Sequence, residues 1–140
     1  MSRRLPQFNR ESLENSLAGA GVRYFWMKAL GGYRKKIRDE SPHVALRNPS
    51  FRNYGDYMLT AEFENAMAEL IALAEASRTT YMCAERVYFR CHRMLVSDWL
   101  AAHGHEVVHI DGRGPAKPHR MTAEARIIDG ELIYRGDRLL

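Results

Sequence analysis

Cysteine is scarce in this chain, and long apolar runs are missing. Only two of its 140 residues are cysteines, which is too few for a scaffold held together by disulfides. No stretch approaches the length that crosses a membrane, and the start of the chain does not have the apolar segment of a secretory signal. We therefore expect a cytoplasmic protein with free thiols and no membrane partner.

The composition is that of an ordinary globular protein. Apolar residues make up 46% of the chain and charged residues 27%, a balance typical of folded domains. We find no internal repeat and no low-complexity segment. A chain of 140 residues is large enough for one hydrophobic core, so we expect a single domain over residues 1–140.

Basic residues exceed acidic ones, and they are clustered. The chain has 21 Lys and Arg against 17 Asp and Glu, a formal net charge of +4. Four cations and no acid lie in residues 31–38, and a second basic cluster lies in residues 113–120. Such clusters attract phosphate groups or nucleic acid, although they are also common on solvated surface loops. A phosphate-bearing small molecule or a nucleic acid is therefore a candidate partner.

The spacing of apolar residues predicts helices that alternate with strands. Three segments have helical periodicity and suitable capping residues, namely residues 9–21, 60–76 and 91–103. Three short apolar runs predict buried strands, namely residues 22–27, 79–83 and 106–110. Residues 28–53 form a long loop, and loops of this length are often functional. Asp129-Gly130, between two further apolar runs, predicts a C-terminal hairpin.

These elements predict an α/β fold. Strand, helix and strand between residues 79 and 110 make a βαβ unit, whose crossover is right-handed. We therefore expect a small, mainly parallel sheet flanked by helices, with a β-hairpin at the C-terminal end. In open α/β sheets, ligands bind at the carboxyl ends of the strands. The strand-to-helix turn between Met82 and Arg93 lies at such an end and is the candidate site.

The candidate turn brings several reactive groups together. Glu85 follows the predicted strand and is a candidate general base, or it forms an ion pair with Arg90 or Arg93 that holds the turn closed. His92 and Arg93 stand at the start of the predicted helix, where positive charge and free backbone amides favour an anion. The turn therefore predicts an anion site.

The two cysteines occupy different positions in this turn. Cys83 ends the predicted strand, where a buried cysteine usually packs as a small apolar residue. Cys91 begins the predicted helix, where the helix dipole and flanking arginines favour a thiolate, although its side chain can equally pack in the first turn. The seven residues between them are too many for a zinc knuckle. The sequence indicates no particular cofactor or metal.

Three functions fit this turn. The first is an enzyme for phosphate-bearing ligands, either a hydrolase or a nucleic-acid-processing enzyme. Its candidate catalytic residues are Glu85, Cys91 and His92, and its candidate ligand-binding residues are Arg93, Arg90, Cys83, Asn48 and Tyr57. The second is a non-enzymatic nucleic-acid-binding module, and the third is thiol chemistry at Cys91. The sequence leaves open whether the protein is an enzyme.

Several pieces of the sequence occur together in a known family. The pieces are Leu30-Gly31-Gly32, Asn48-Pro49, Tyr54-Gly55-Asp56-Tyr57-Met58, Met82-Cys83-Ala84-Glu85, Cys91-His92-Arg93, His109-Ile110 and Pro118-His119. Together they resemble the domain of unknown function 488 family of bacteria and archaea. The resemblance implies an α/β domain and supports the candidate turn, and it implies no particular reaction.

The sequence departs from the family pattern in two places. Tyr88 stands where the family usually has a proline, so the turn is expected to be less stiff. The chain also lacks the strand, helix and strand with which family members look to begin. A parallel sheet without those strands has an open edge, and we therefore expect a homo-oligomer.

Overall fold

The computed structural model of the protein describes residues 6–136. In this part of the chain, four α-helices precede two pairs of short strands. The helices are α1 (Arg10–Gly19), α2 (Pro49–Tyr57), α3 (Ala61–Ala76) and α4 (Arg93–Ala102). The strands are β1 (Val108–His109), β2 (Lys117–Pro118), β3 (Ala125–Ile128) and β4 (Glu131–Tyr134). Short 3-10 turns lie at Pro6–Phe8, Lys28–Leu30 and Tyr88–Arg90.

The three predicted helices are confirmed, with shifted ends. Helix α3 begins where Thr60 Oγ1 accepts the N–H of Phe63 at 3.3 Å, the type of cap that the sequence indicates. Helix α1 is followed by Gly21, whose φ of 77° lies in the left-handed region that favours glycine. Helix α4 begins later than predicted, because the 3-10 turn Tyr88–Arg90 and the extended backbone of Cys91 precede it.

The long loop is shorter than predicted because α2 lies within it. The side chain of Asn48 accepts the N–H of Ser50 at 2.8 Å, and Pro49 occupies the first turn of the helix. Both features are typical of helix starts. The last turn of α2 is buried and includes Tyr54. The residues that directly follow the predicted loop therefore lie in the core.

The predicted parallel sheet is wrong. Residues 22–27 and 79–83 form no strand, and β1 pairs antiparallel with β2, with Val108 opposite Pro118. Trp26, in the first of the two segments, is 53% exposed. A short apolar run favours extended backbone, but it does not encode the segment with which it pairs. The expected homo-oligomer depended on an open edge of that sheet, and self-association stays a prediction without this argument.

The predicted C-terminal hairpin is confirmed, so the fold combines helices with small antiparallel sheets. Strands β3 and β4 pair antiparallel, with Ile128 opposite Glu131. The two residues between them, Asp129 and Gly130, have φ values of 52° and 80°. Positive φ at both central residues is what a type I′ turn requires, and Asp-Gly adopts it readily.

The core lies between α2, α3, α4 and β4. Its largest fully buried apolar side chains are Tyr54, Phe63, Met67, Leu95 and Tyr134. Helix α1 contributes no buried residue. Within residues 6–136, no helix has both the length and the apolar character needed to cross a membrane. Helix α4 packs on this core, and the candidate turn directly precedes it.

Candidate functional site

The two cysteines of the candidate turn lie side by side. Cys83 Sγ and Cys91 Sγ are 3.4 Å apart, although seven residues separate them in the chain. Within the turn, the backbone N–H of Glu85 donates a hydrogen bond to Cys83 Sγ at 3.3 Å. Both cysteines are free thiols, and both are partly buried. Disulfide formation between them would require a two-electron oxidant and an approach of the sulfurs to about 2.05 Å.

The two thiols differ in acidity. Cys91 Sγ accepts hydrogen bonds from the Cys83 thiol at 3.4 Å, from the Arg93 backbone N–H at 3.4 Å and from Arg93 Nε at 3.2 Å. The bond from Cys83 and then those from Arg93 lower the pKa of Cys91 to about 6, although burial opposes this. The pKa of Cys83 is raised, because its thiol donates to Cys91 and because it is partly buried. At pH 7, Cys91 is therefore mainly a thiolate and Cys83 a thiol.

Arg93 connects this thiolate to the rest of the turn. In addition to its bonds to Cys91, a terminal nitrogen of its guanidinium group donates to the backbone carbonyl of Glu85. Glu85 is exposed, and among the described residues its carboxylate forms no salt bridge with Arg90 or Arg93. The contact that holds the turn closed therefore uses the backbone of Glu85 and not its carboxylate.

His92 lies against the core. Its ring centroid is 5.2 Å from that of Tyr54, and a Cβ at Gly32 would lie only 2.5 Å from its Nδ1 atom. Burial, followed by the positive charges of Arg93 and Arg34, lowers the pKa of His92 to about 4. The imidazole is therefore neutral at pH 7 and adds no positive charge to the turn.

The other predicted ligand-binding residues lie in different surroundings. Asn48 caps α2 through Ser50. The hydroxyl group of Tyr57 donates to the carbonyl of Ala29, and the Arg34 guanidinium lies 3.9 Å from the centroid of the Tyr57 ring. Asn48 and Tyr57 thus have partners that hold α2 and the preceding loop. Arg90 is exposed in its 3-10 turn.

A buried hydrogen-bonded chain lies beside the turn, and the sequence does not predict it. His119 Nε2 is 2.7 Å from Asp98 Oδ1, and His109 Nε2 is 2.7 Å from His119 Nδ1. Asp98 also accepts the Thr122 N–H at 3.0 Å, the Thr122 hydroxyl at 2.6 Å and the Tyr134 hydroxyl at 2.8 Å. The side chains of His119 and Asp98 are 1% and 0% exposed. We call His109, His119 and Asp98 the imidazole chain.

Tyr88 joins the imidazole chain to the thiols. Its ring stacks on His109, with centroids 3.5 Å apart and an angle of 4° between the planes, and its carbonyl oxygen is 3.6 Å from Cys91 Sγ. Arg86 Nε, also in the turn, lies 3.4 Å from Asp111 Oδ1 just beyond β1. In the part of the chain that the structure describes, no group of three or more His, Cys, Asp or Glu side chains could hold a metal ion. The contacts of Tyr88 with His109 and of Arg86 with Asp111 join the turn and the end of β1 into one continuous site.

The sequence contains only a weak signal for the imidazole chain. Asp98 is a charged residue beside the apolar positions Leu95 and Trp99 of the predicted helix, and a carboxylate is rarely buried without partners. Two pieces of the family resemblance contain His109 and His119. Nothing in the sequence predicts that these two side chains meet Asp98.

Comparison with known proteins identifies a family. The sequence model of the family described as Domain of unknown function DUF488 matches residues 1–100. This range includes Cys83, Cys91, Arg93 and Asp98, and it ends before the two histidines of the imidazole chain. No curated protein and no solved structure matches the chain.

Proposed function

The chain belongs to the DUF488 family of domains of unknown function, and we propose that it carries out thiol–disulfide exchange at Cys83 and Cys91. Cys91 is the attacking thiol, and Cys83 is the thiol that completes the reaction. The substrate is a compound that contains a disulfide bond. The protein is then a dithiol reductant of this compound, or an oxidant of its thiols when the reaction runs in reverse.

The reaction consists of two exchange steps. The Cys91 thiolate attacks one substrate sulfur, so that a bond forms between these two sulfurs and the substrate disulfide breaks. The other substrate sulfur leaves as a thiolate. Cys83 then loses its proton and attacks Cys91, which forms the Cys83–Cys91 disulfide and releases the second substrate thiolate. Two electrons pass from the dithiol to the substrate.

One observation carries this proposal, the short distance between two thiols of unequal acidity. The sulfurs are 3.4 Å apart, and the pKa of Cys91 is lowered to about 6 by the hydrogen bonds from Cys83 and Arg93. The thiolate is the nucleophilic form of cysteine, and an attacking thiol is most effective when its pKa is near the ambient pH. The second thiol is already in contact, so no large movement is needed to close the disulfide.

The alternative is an anion site at Arg93. The hydrogen bonds that Arg93 forms within the turn count against this alternative. Arg93 donates from Nε to Cys91 and from a terminal nitrogen to Glu85, so a phosphate would compete with both acceptors. His92, the predicted second clamp, is neutral at pH 7 because its pKa is about 4. These contacts favour thiol chemistry over phosphate hydrolysis.

A nucleic-acid-binding module would use the basic segment 113–120 together with the basic segment 33–38. Arg34, in this segment, donates to the carbonyls of Gly31 and Lys28 and lies over the ring of Tyr57, so it stabilises its own loop. The other cations of the segment are exposed, as expected for a solvated loop. Support for the module would require nucleic-acid binding that weakens steeply as the salt concentration rises.

Alkylation by iodoacetamide across a pH series tests the acidity of Cys91. We expect the rate at Cys91 to titrate with a pKa near 6, whereas Cys83 should react slowly throughout this range. Peptide mass spectrometry after brief labelling assigns the site. A rate at Cys91 that follows an ordinary thiol pKa, roughly 8.5, would contradict the proposal.

Arg93→Gln tests the cause of this acidity. The change removes the Nε donor from Cys91, and a charge-assisted hydrogen bond is worth roughly 1.5–3 kcal/mol, or about 1–2 pKa units. Alkylation of Cys91 at pH 6 should therefore slow by about five- to fiftyfold. Arg78→Gln removes an exposed arginine outside the turn and is the matched control, for which we expect no change. Circular dichroism spectra of both variants check that the fold is retained.

The exchange reaction itself is tested with an aromatic disulfide reagent that releases a coloured thiol. The wild-type protein should release two equivalents of coloured thiol and lose the mass of two hydrogens. Cys83→Ser should release one equivalent and retain the reagent on Cys91. If the wild-type protein retains the reagent and forms no internal disulfide, the exchange reaction is refuted.

A further inference from the structure

With both imidazoles neutral, the imidazole chain has one arrangement of protons that satisfies all its hydrogen bonds. The Asp98 carboxylate accepts from His119 Nε2, so His119 carries its proton there and presents Nδ1 as an acceptor. His109 Nε2 lies 2.7 Å from this Nδ1 atom and is therefore the donor. In the neutral imidazole of His109, the remaining nitrogen, Nδ1, has a lone pair and no proton.

The surroundings of His109 keep it neutral. Its ring is stacked on Tyr88, and the guanidinium group of Arg93 and the ring of His119 act on it from α4 and from the segment after β2. Burial lowers the pKa of His109, and so do the neighbouring His119 and Arg93, whereas Asp98 raises it. The imidazole is therefore a proton acceptor at neutral pH.

The same arginine acts on His109 and on both thiols. Arg93 donates to Cys91 Sγ, and its charge affects the pKa of Cys83 as well as that of His109. Tyr88 contacts His109 with its ring and Cys91 with its carbonyl oxygen. Tyr88 is therefore a common neighbour of the His109 imidazole and Cys91, and Arg93 acts on both.

The second exchange step needs a base, because Cys83 is the less acidic thiol and must lose its proton before it attacks. We propose that His109 accepts this proton at Nδ1, and that His119 and Asp98 are positioning residues for the step. The inference rests on the proposed thiol–disulfide exchange. It adds a role for the part of the chain that lies beyond residue 100, the end of the family match.

The proton and its charge have defined destinations in this step. The proton leaves Cys83 Sγ and binds His109 Nδ1, while the Nε2 proton of His109 passes to Nδ1 of His119. The positive charge then rests on His119, next to the carboxylate of Asp98, which compensates it. The Cys83 thiolate forms the bond to Cys91, and the departing substrate thiolate takes a proton from water.

The aromatic disulfide reagent separates this inference from the proposed function. Its first equivalent of coloured thiol reports the attack of Cys91, and its second reports the closure by Cys83. In His109→Gln, we expect the first release at the wild-type rate and a second release at least about tenfold slower at pH 7, a lower bound set beneath the roughly 100- to 10,000-fold contribution usual for a general base. The difference should shrink as the pH rises, because hydroxide then deprotonates Cys83. His105→Gln, which changes an exposed histidine outside the imidazole chain, should match the wild type.

The outcomes distinguish the two ideas. If Cys91 does not release the first equivalent in the wild-type protein, thiol–disulfide exchange fails. If the first release is normal and the second is equally fast in His109→Gln, the role of His109 fails while the exchange reaction stands. A slow second release in Glu85→Gln, with a normal one in His109→Gln, would assign the base to Glu85 instead and overturn the inference.

A measurement on the wild-type protein needs no variant. Nitrogen-15 NMR of the imidazole rings at pH 7.5 should show that His109 and His119 both carry their proton on Nε2, with Nδ1 of His109 unprotonated. A proton on Nδ1 of His109 at this pH would overturn the inference, because the nitrogen assigned to accept the proton would already be occupied.

Discussion

Replacement of Asp98 by asparagine should destabilise the protein strongly. The carboxylate is completely buried, and it accepts four hydrogen bonds that join α4 to His119, Thr122 and Tyr134. Asparagine has the same shape but only one acceptor oxygen. If that oxygen stays with His119 and the Thr122 N–H, the amide nitrogen faces the two hydroxyl groups, and neither can donate to it.

The magnitude follows from these two lost bonds. A hydrogen bond to a charged acceptor contributes roughly 1.5–3 kcal/mol, and a hydroxyl group that turns to accept from the amide recovers part of the loss. We expect Asp98→Asn to lower the free energy of unfolding by about 2–4 kcal/mol, a large share of the roughly 5–15 kcal/mol typical of a domain. Tyr134→Phe removes only one of the four donors and should cost about half as much.

Urea unfolding at pH 7, followed by circular dichroism, measures this loss. With a slope of about 2 kcal/mol per molar urea, the midpoint should fall by about 1–2 M while the slope itself is unchanged. Asp39→Asn is the control, since Asp39 is fully exposed and lies 3.7 Å from the exposed Lys36, and we expect no measurable change. Equal midpoints for the two Asp-to-Asn variants would refute the view that Asp98 anchors the imidazole chain.

Two further predictions concern His92. Gly32→Ala should lower the free energy of unfolding by about 1–3 kcal/mol, as is usual for an overpacked site. The new Cβ would lie only 2.5 Å from His92 Nδ1. The control is Gly114→Ala, which has nothing within 4 Å of its Cβ and should show no loss of stability in the same urea assay. The second prediction is a loss of stability in mild acid. The pKa of His92 is about 4 in the folded protein against 6.5 for an unperturbed histidine, so between these values the unfolded chain binds a proton that the folded chain does not. The free energy of unfolding should therefore fall by about 2 kcal/mol between pH 7 and pH 5, and urea midpoints that fall just as steeply in His92→Gln would contradict this assignment.

The predictions that succeeded depended on neighbouring residues. Thr60 caps α3 through a residue three positions away, and Asp129-Gly130 forms its turn between two adjacent strands. Cys83 and Cys91 are also near each other in the chain, but nothing in the sequence indicates that their sulfurs lie 3.4 Å apart. Such local choices are encoded in a few consecutive side chains.

The sequence by itself thus determined the predicted helices and the C-terminal hairpin. Only the tertiary structure decided how β1 pairs, because a two-residue strand contains too little pattern to specify its partner. It also decided that His109, His119 and Asp98 form one chain, since they come from β1, from the segment after β2 and from α4. Contacts between such distant segments arise from the packing of whole elements, which the spacing of residues along the chain does not record.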